Sequence, residues 1–135
     1  MISKDSTLSG VKVLVVDDEP AALEITRLML TLCHARVFAV ASAAQGLEQI
    51  RMSRLDVIIS DISMPKMDGY QFIREVRNLP EHIGGKTPAV ALTAFNRAED
   101  HAKAIDAGFQ RHLHKPVELD ALVKAIASLA SSRAC

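Results

Sequence analysis

The chain has 135 residues, the size of a single domain, and its 16 basic residues balance 16 acidic ones to a formal net charge of zero. With 49% hydrophobic and 24% charged residues the composition is ordinarily globular, and a domain near this size hides roughly 70% of its extended surface, enough for a real core. Such neutrality gives no electrostatic footprint for direct nucleic-acid binding, and no apolar run approaches the ~20 residues of a membrane helix.

The opening MISKDSTLSG lacks the apolar segment of a signal peptide, so residues 1–10 read as a loose end of a soluble, cytoplasmic chain. Lys12–Val16 is a β-branched strand that ends on Asp17 and Asp18. Pro20 suits a first helical turn, and the stretch to Leu32 places Ala21, Ile25, Leu28 and Leu32 on one apolar stripe, with Leu28 and Met29 expected in the core. Cys33 reads as a buried small hydrophobe. With Cys135 it makes too few thiols, too far apart, for a disulfide framework, which predicts reduced cytosolic cysteines.

Arg36–Ala41 is a second strand, and Ser42 with Gln45 forms a capping box for a helix to about Ser53. Asp56–Ser60 is a third, buried strand that stops at Asp61. A loop over Ser63–Gly69 leads to a helix at Tyr70–Asn78, with Phe72, Ile73 and Val76 inward. Leu79–Thr87, polar and carrying Gly84 and Gly85, predicts an exposed connection. Ala89–Leu92 is the fourth strand, Arg97–Ala107 a helix closed by Gly108, Arg111–His114 the fifth strand and Glu118–Leu129 the last helix; residues 131–135 read as a second loose end. Met64 and Met67 flank the loop turn, while His34, His82 and His101 are expected on the surface.

Five strands alternating with five helices predict an α/β domain whose parallel sheet is covered on both faces. Right-handed crossovers bring every strand's carboxyl end to one edge, where ligands bind in such folds. The residues at that edge are Asp17, Asp18, Asp61, Thr93 and Lys115. A lone Asp-Asp after a strand is ordinarily a turn or helix cap, and a lone Thr or Lys there says little. Together, at the ends of the first, third, fourth and fifth strands, they form a chemical set. Clustered carboxylates repel one another unless a cation joins them, and hard oxygen donors suit Mg²⁺. Lysine and threonine are suited to phosphoryl oxygens, and an aspartate can itself be the nucleophile. Phosphoryl transfer asks mainly for positioning and charge neutralisation.

In order along the chain, VLVVDDEP, DVIISDISMPKMDGY, VALTA and HLHKP resemble the receiver domain of two-component response regulators, over Val11 to Leu129. The resemblance implies a flavodoxin-like receiver fold with strand order 2-1-3-4-5, spanning residues 11–130. It implies Asp61 as the phosphoacceptor, and Asp17, Asp18, Asp61 and the backbone carbonyl of Ser63 as holders of Mg²⁺ or Mn²⁺. Thr93 and Lys115 would take phosphoryl oxygens, and Lys115-Pro116 would be a cis peptide. Ser63 and Phe95 would border the water that hydrolyses an aspartyl phosphate, with the bulk of Phe95 slowing it. The switch position, commonly Tyr or Phe, is His112, which reads as a core histidine or a smaller, titratable switch acting with Thr93. A zinc pair of His112 with His114 lacks further ligands.

Histidine at that position, and the lead-in LSGVKVLVVDD, resemble receivers attached to hybrid histidine kinases. The implied partner is a sensor histidine kinase or a histidine phosphotransfer protein, with an output face formed by Arg97–Ala107, Arg111–His114 and Glu118–Leu129. The implied role is that of a phosphoacceptor that assists its own phosphorylation and dephosphorylation, either standing alone or as a module of a larger kinase. Three rivals fit less well. A haloacid-dehalogenase-type phosphatase resembles DxDx[TV], and here Ile62 and Ser63 follow Asp61, so its acid–base Asp is missing. A flavin carrier needs aromatic stacking partners, and this chain has no Trp and one Tyr. A receiver-like interaction module would not need every acidic and phosphate-binding position filled.

Overall fold

The computed structural model describes residues 8–94 and 98–134. Five strands alternate with five helices: β1 (Lys12–Val16), α1 (Pro20–Leu32), β2 (Arg36–Val40), α2 (Ala43–Met52), β3 (Val57–Asp61), α3 (Gly69–Arg77), β4 (Ala89–Thr93), α4 (Ala98–Ala107), β5 (Arg111–His114) and α5 (Leu119–Ala134). The strands are parallel throughout, in the order β2-β1-β3-β4-β5. This is the architecture expected from the sequence. The connection after α3 is less open than expected: it contains a 3₁₀ turn at Glu81–Ile83, and Gly85 and Thr87 are buried.

Side-chain alternation along the strands divides the core in two. Leu14, Val16, Ile58, Ala89 and Ala91 face α2, α3 and α4, packing on Ile50, Phe72, Ile73, Val76 and Ala104. Val13, Val15, Val57, Ile59, Val90 and Leu92 face α1 and α5, against Leu30, Cys33, Leu122 and Ile126. Leu8 is fully buried in this second cluster, and its N–H donates to the Cys33 carbonyl, so the fold begins ahead of β1.

Local signals explain most helix boundaries. Glu19 caps α1 by accepting from the Ala21 N–H. Ser42 caps α2 by accepting from the Gln45 N–H, while the Gln45 side chain reaches back to the Ala41 N–H. Asp68 and Gln71 form a full capping box at the start of α3. Helix α4 closes on Gly108, whose φ of +131° lies where an L side chain is strained.

One element faces the other way from its sequence pattern. In α1 the expected core stripe points to solvent: Ala21 is exposed, as are Ile25 (58%), Leu28 (47%) and Leu32 (69%), and Met29 is only half-buried. The buried side carries Thr26 and Leu30, with Cys33 just beyond the helix. The helix is apolar on two sides, so its periodicity offered two stripes, and packing on β1 and β2 selected the other.

The opposite edge of the sheet is tied by one guanidinium. Arg77, at the end of α3, donates to the carbonyls of Gly108, Gly85 and Thr87 and to Gln110 Oε1. Gln110 Oε1 also accepts from the Ala89 N–H, so α3, the amino ends of β4 and β5, and the end of α4 share one knot.

Candidate functional site

The parallel strands deliver four chemical groups to one edge. Asp17 follows β1, Asp61 ends β3, Thr93 ends β4 and Lys115 follows β5. Asp17, Asp61 and Thr93 are buried, and Asp18 is exposed beside them. Lys115 Nζ donates to Asp17 Oδ2 at 3.3 Å and to Asp61 Oδ1 at 3.2 Å, bridging two carboxylates across the mouth of the sheet. The other oxygen of Asp17 accepts from the Glu19 N–H at 3.0 Å, which fixes the carboxylate's orientation. The N–H of Lys115 donates to the Thr93 carbonyl at 2.8 Å, coupling the ends of β4 and β5, and Lys115-Pro116 is cis.

Ligand oxygens of Asp17, Asp18 and Asp61 all lie within 4.8 Å of one another. Among the described residues no other group of three potential ligands converges so closely. Burial and the Asp17 charge raise the Asp61 carboxyl above its ordinary range, against the pull of Lys115. Burial opposes the Lys115 charge, yet Asp17 and Asp61 outweigh it and raise the ammonium's pKa. One ammonium bridges two of the three carboxylates and makes no ion pair with the third, Asp18. An all-oxygen donor set with excess negative charge fits a hard divalent cation such as Mg²⁺.

The loop after Asp61 passes very close to the start of α3. The Gly69 N–H donates to the Ile62 carbonyl, and a Cβ at Gly69 would stand 2.5 Å from the Asp61 carbonyl oxygen. No side chain fits there, so this glycine sets how Asp61 is presented. The sequence placed Gly69 at the end of a loop but did not reveal this approach. Ser63 is exposed in the same loop, beside a cleft lined by Ile62, Met64, Asp68, Tyr70, Asp100 and Lys103. Asp100 went unnoticed in the sequence because α4 reads there as a solvated face.

His112 lies half-buried on β5, its ring 5.5 Å from that of His101 on α4 and tilted by 54°. Among the described residues no converging set of zinc ligands forms around His112 and His114. His34, His82 and His101 are exposed, as expected. Phe95, expected to shield the site, and Arg97, expected at the start of α4, lie outside the described residues.

A doubly wound five-stranded sheet with clustered carboxylates, a threonine and a lysine at its carboxyl edge defines a receiver-type domain. The chain belongs to the response regulator receiver domain family, whose family model matches residues 13–127. It is 38% identical to a 14.6 kDa protein of Leptolyngbya boryana, over 89% of this chain and 90% of that one. It is 34% identical to "Probable histidine kinase 2" of Oryza sativa, over 91% of this chain but only 13% of the kinase. Among solved structures, the receiver domain of a sensor histidine kinase from Pseudomonas aeruginosa superposes with a TM-score of 0.82 at 29% identity, covering 91% of this chain and 99% of that one. That structure carries a magnesium ion coordinated in its active-site cleft. No described helix is long and apolar enough to cross a membrane.

Proposed function

We propose that residues 11–130 form the switch of a two-component phosphorelay, in which Asp61 accepts a phosphoryl group from a phosphohistidine donor. One observation carries this reading: Asp61, buried at the end of β3, shares a cation-sized cluster with Asp17 and Asp18 and is bridged to Asp17 by Lys115. An Asp61 oxygen forms the bond to phosphorus as the phosphorus–nitrogen bond to the donor histidine breaks, the electron pair leaving with the imidazole. Lys115 and the Thr93 hydroxyl take phosphoryl oxygens, limiting charge build-up. Asp17, Asp18, Asp61 and the Ser63 carbonyl are the groups that would hold Mg²⁺ or Mn²⁺. When bound, the ion supplies neutralisation of the carboxylates and a contact for the incoming dianion. Thr93 and His112 then convey the change to the face of α4, β5 and α5, where an output partner would read it.

The test is treatment with a small acyl phosphate, with and without Mg²⁺. A base-labile adduct should map to Asp61 and require the metal, and Asp18→Ala should weaken Mg²⁺ binding at least tenfold, about 1.4 kcal/mol. Labelling that persists in chelator, or wild-type metal affinity in Asp18→Ala, would overturn the assignment.

The donor is a sensor histidine kinase or histidine phosphotransfer protein, and we place its docking surface on α1. The outward stripe of Ile25, Leu28 and Leu32 adjoins an apolar groove formed by Ile25, Met29, Leu92, Pro116 and Val117, with Lys115 at its rim. A donor seated there brings its histidine to the edge that holds Asp61. Leu28→Lys should slow transfer from a phosphohistidine protein by roughly tenfold, about 1.4 kcal/mol, and leave uptake from a small acyl phosphate unchanged. Equal slowing of both reactions would remove α1 as the docking surface.

A further inference from the structure

Away from the carboxylate cluster, α4 and β5 enclose a second titratable set. His112 Nε2 and Asp100 Oδ2 are both shut off from solvent, and neither finds a hydrogen-bond partner among the described residues. They sit on elements that pack together, and the His101 ring, next in sequence to Asp100, touches the ring of His112. A buried polar atom without a partner has lost its water and gained nothing in exchange. Here one orphan is a carboxylate oxygen and the other an imidazole nitrogen that always carries a hydrogen once the ring is protonated. Each supplies what the other lacks.

We propose that Asp100 and His112 form a proton-operated latch between α4 and β5, open in the conformation described and closed by an Nε2–H to Oδ2 hydrogen bond when the imidazole takes a proton. Asp100 also lines the cleft beside Ser63, so closing the latch moves a wall of the candidate site. Metal capture is the weaker use of the same residues, because the ligand atoms of Asp100, His101 and His112 do not converge as those of Asp17, Asp18 and Asp61 do.

The charged groups acting on His112 are identifiable. Burial comes first in holding its pKa below the ordinary histidine value, then the neighbouring His101; Asp100 favours the proton and His114 opposes it. The paired strand β4 presents Ala91 opposite it, with no titratable group. Helix α5 lies across the sheet, where Arg111 reaches Ser128. The sign follows. The open form keeps a neutral ring at neutral pH, and the closed form gains an ion pair. Acidification below the ordinary histidine range therefore drives closure.

The latch rests on the receiver reading only for its output, so it is tested without phosphate. Histidine-ring and backbone NMR of the full chain, titrated from about pH 8 to about pH 5, follows His112 and the amides of residues 98–103 together. These amides should move with the His112 midpoint in the parent protein. Asp100→Asn should lower ring proton affinity about threefold or more and uncouple the α4 amides. His101→Gln should raise the midpoint and leave the coupling in place. An unchanged His112 midpoint in Asp100→Asn, or α4 amides that ignore His112, would overturn the latch. A separate acyl-phosphate arm that failed to label Asp61 would remove the receiver reading and leave the ring titration intact.

Discussion

Asp61→Asn takes up no phosphate from a small acyl phosphate, and in metal-free buffer at neutral pH it melts higher than the parent protein. The first result follows from replacing the nucleophile by a neutral amide in the same position. The second follows from the electrostatics of the site. Burial, with the charge of Asp17, raises the Asp61 carboxyl above the ordinary aspartate value. A carboxyl raised in this way contributes stability while protonated, and loses that contribution as pH rises through its folded pKa. At neutral pH the charged carboxylate is therefore a cost that asparagine avoids. The gain is partly offset because Lys115 keeps only Asp17 as a partner. A net effect on the order of 1 kcal/mol lifts the melting temperature by roughly 3–5 °C, and the advantage should fade as pH falls through the raised pKa and Asp61 itself takes a proton. Undiminished labelling of Asp61→Asn would end the phosphoacceptor assignment; a lower melting temperature would end the account of the site as strained by its own charge.

Lys115→Ala folds, binds Mg²⁺ at least as tightly as the parent, and loses most of its response to phosphorylation. The lysine side chain is 26% exposed and belongs to neither buried apolar cluster, so its removal leaves the core residues in place. It does remove the only basic side chain paired with Asp17 and Asp61 among the described residues. Their negative charge is then free to favour a divalent cation. In the phosphorylated state the balance reverses, because a phosphoryl oxygen loses a pre-positioned ammonium. Binding to the output partner in the presence of a phosphoryl mimic should fall on the order of tenfold, about 1.4 kcal/mol. Thermal melting, Mg²⁺ titration and partner binding separate the two effects. A variant that responds as well as the parent protein would reduce Lys115 to a structural role.

The sheet and the gathering of Asp17, Asp18, Asp61, Thr93 and Lys115 at its edge were legible because several local signals agreed. Short β-branched runs ended on the residues now found together, and the Ser42 cap on α2 and the Gly108 stop of α4 stand where the sequence put them. The α1 stripe was misread for a physical reason. A helix with apolar residues on two sides satisfies the periodicity test twice, and only packing reveals which side is covered. Asp100 was invisible for the opposite reason: within AEDHAKAIDA it resembles any solvated acid, and its burial depends on how α4 lies against β5. The crowding at Gly69 is likewise a property of two segments meeting, which no single segment announces.

The Arg77 knot gives the molecule a fixed end and a free one. Its guanidinium holds the Gly108 carbonyl, and with it the exit of α4, to α3 and to the connection entering β4. The entry of α4 lies at the other end of the sheet, near the strand tips that carry Thr93 and Asp61. A rod pinned at one end pivots and does not slide. Any shift at the tips would therefore turn α4 about that pin, with the widest arc beside the carboxylates and none at Gly108.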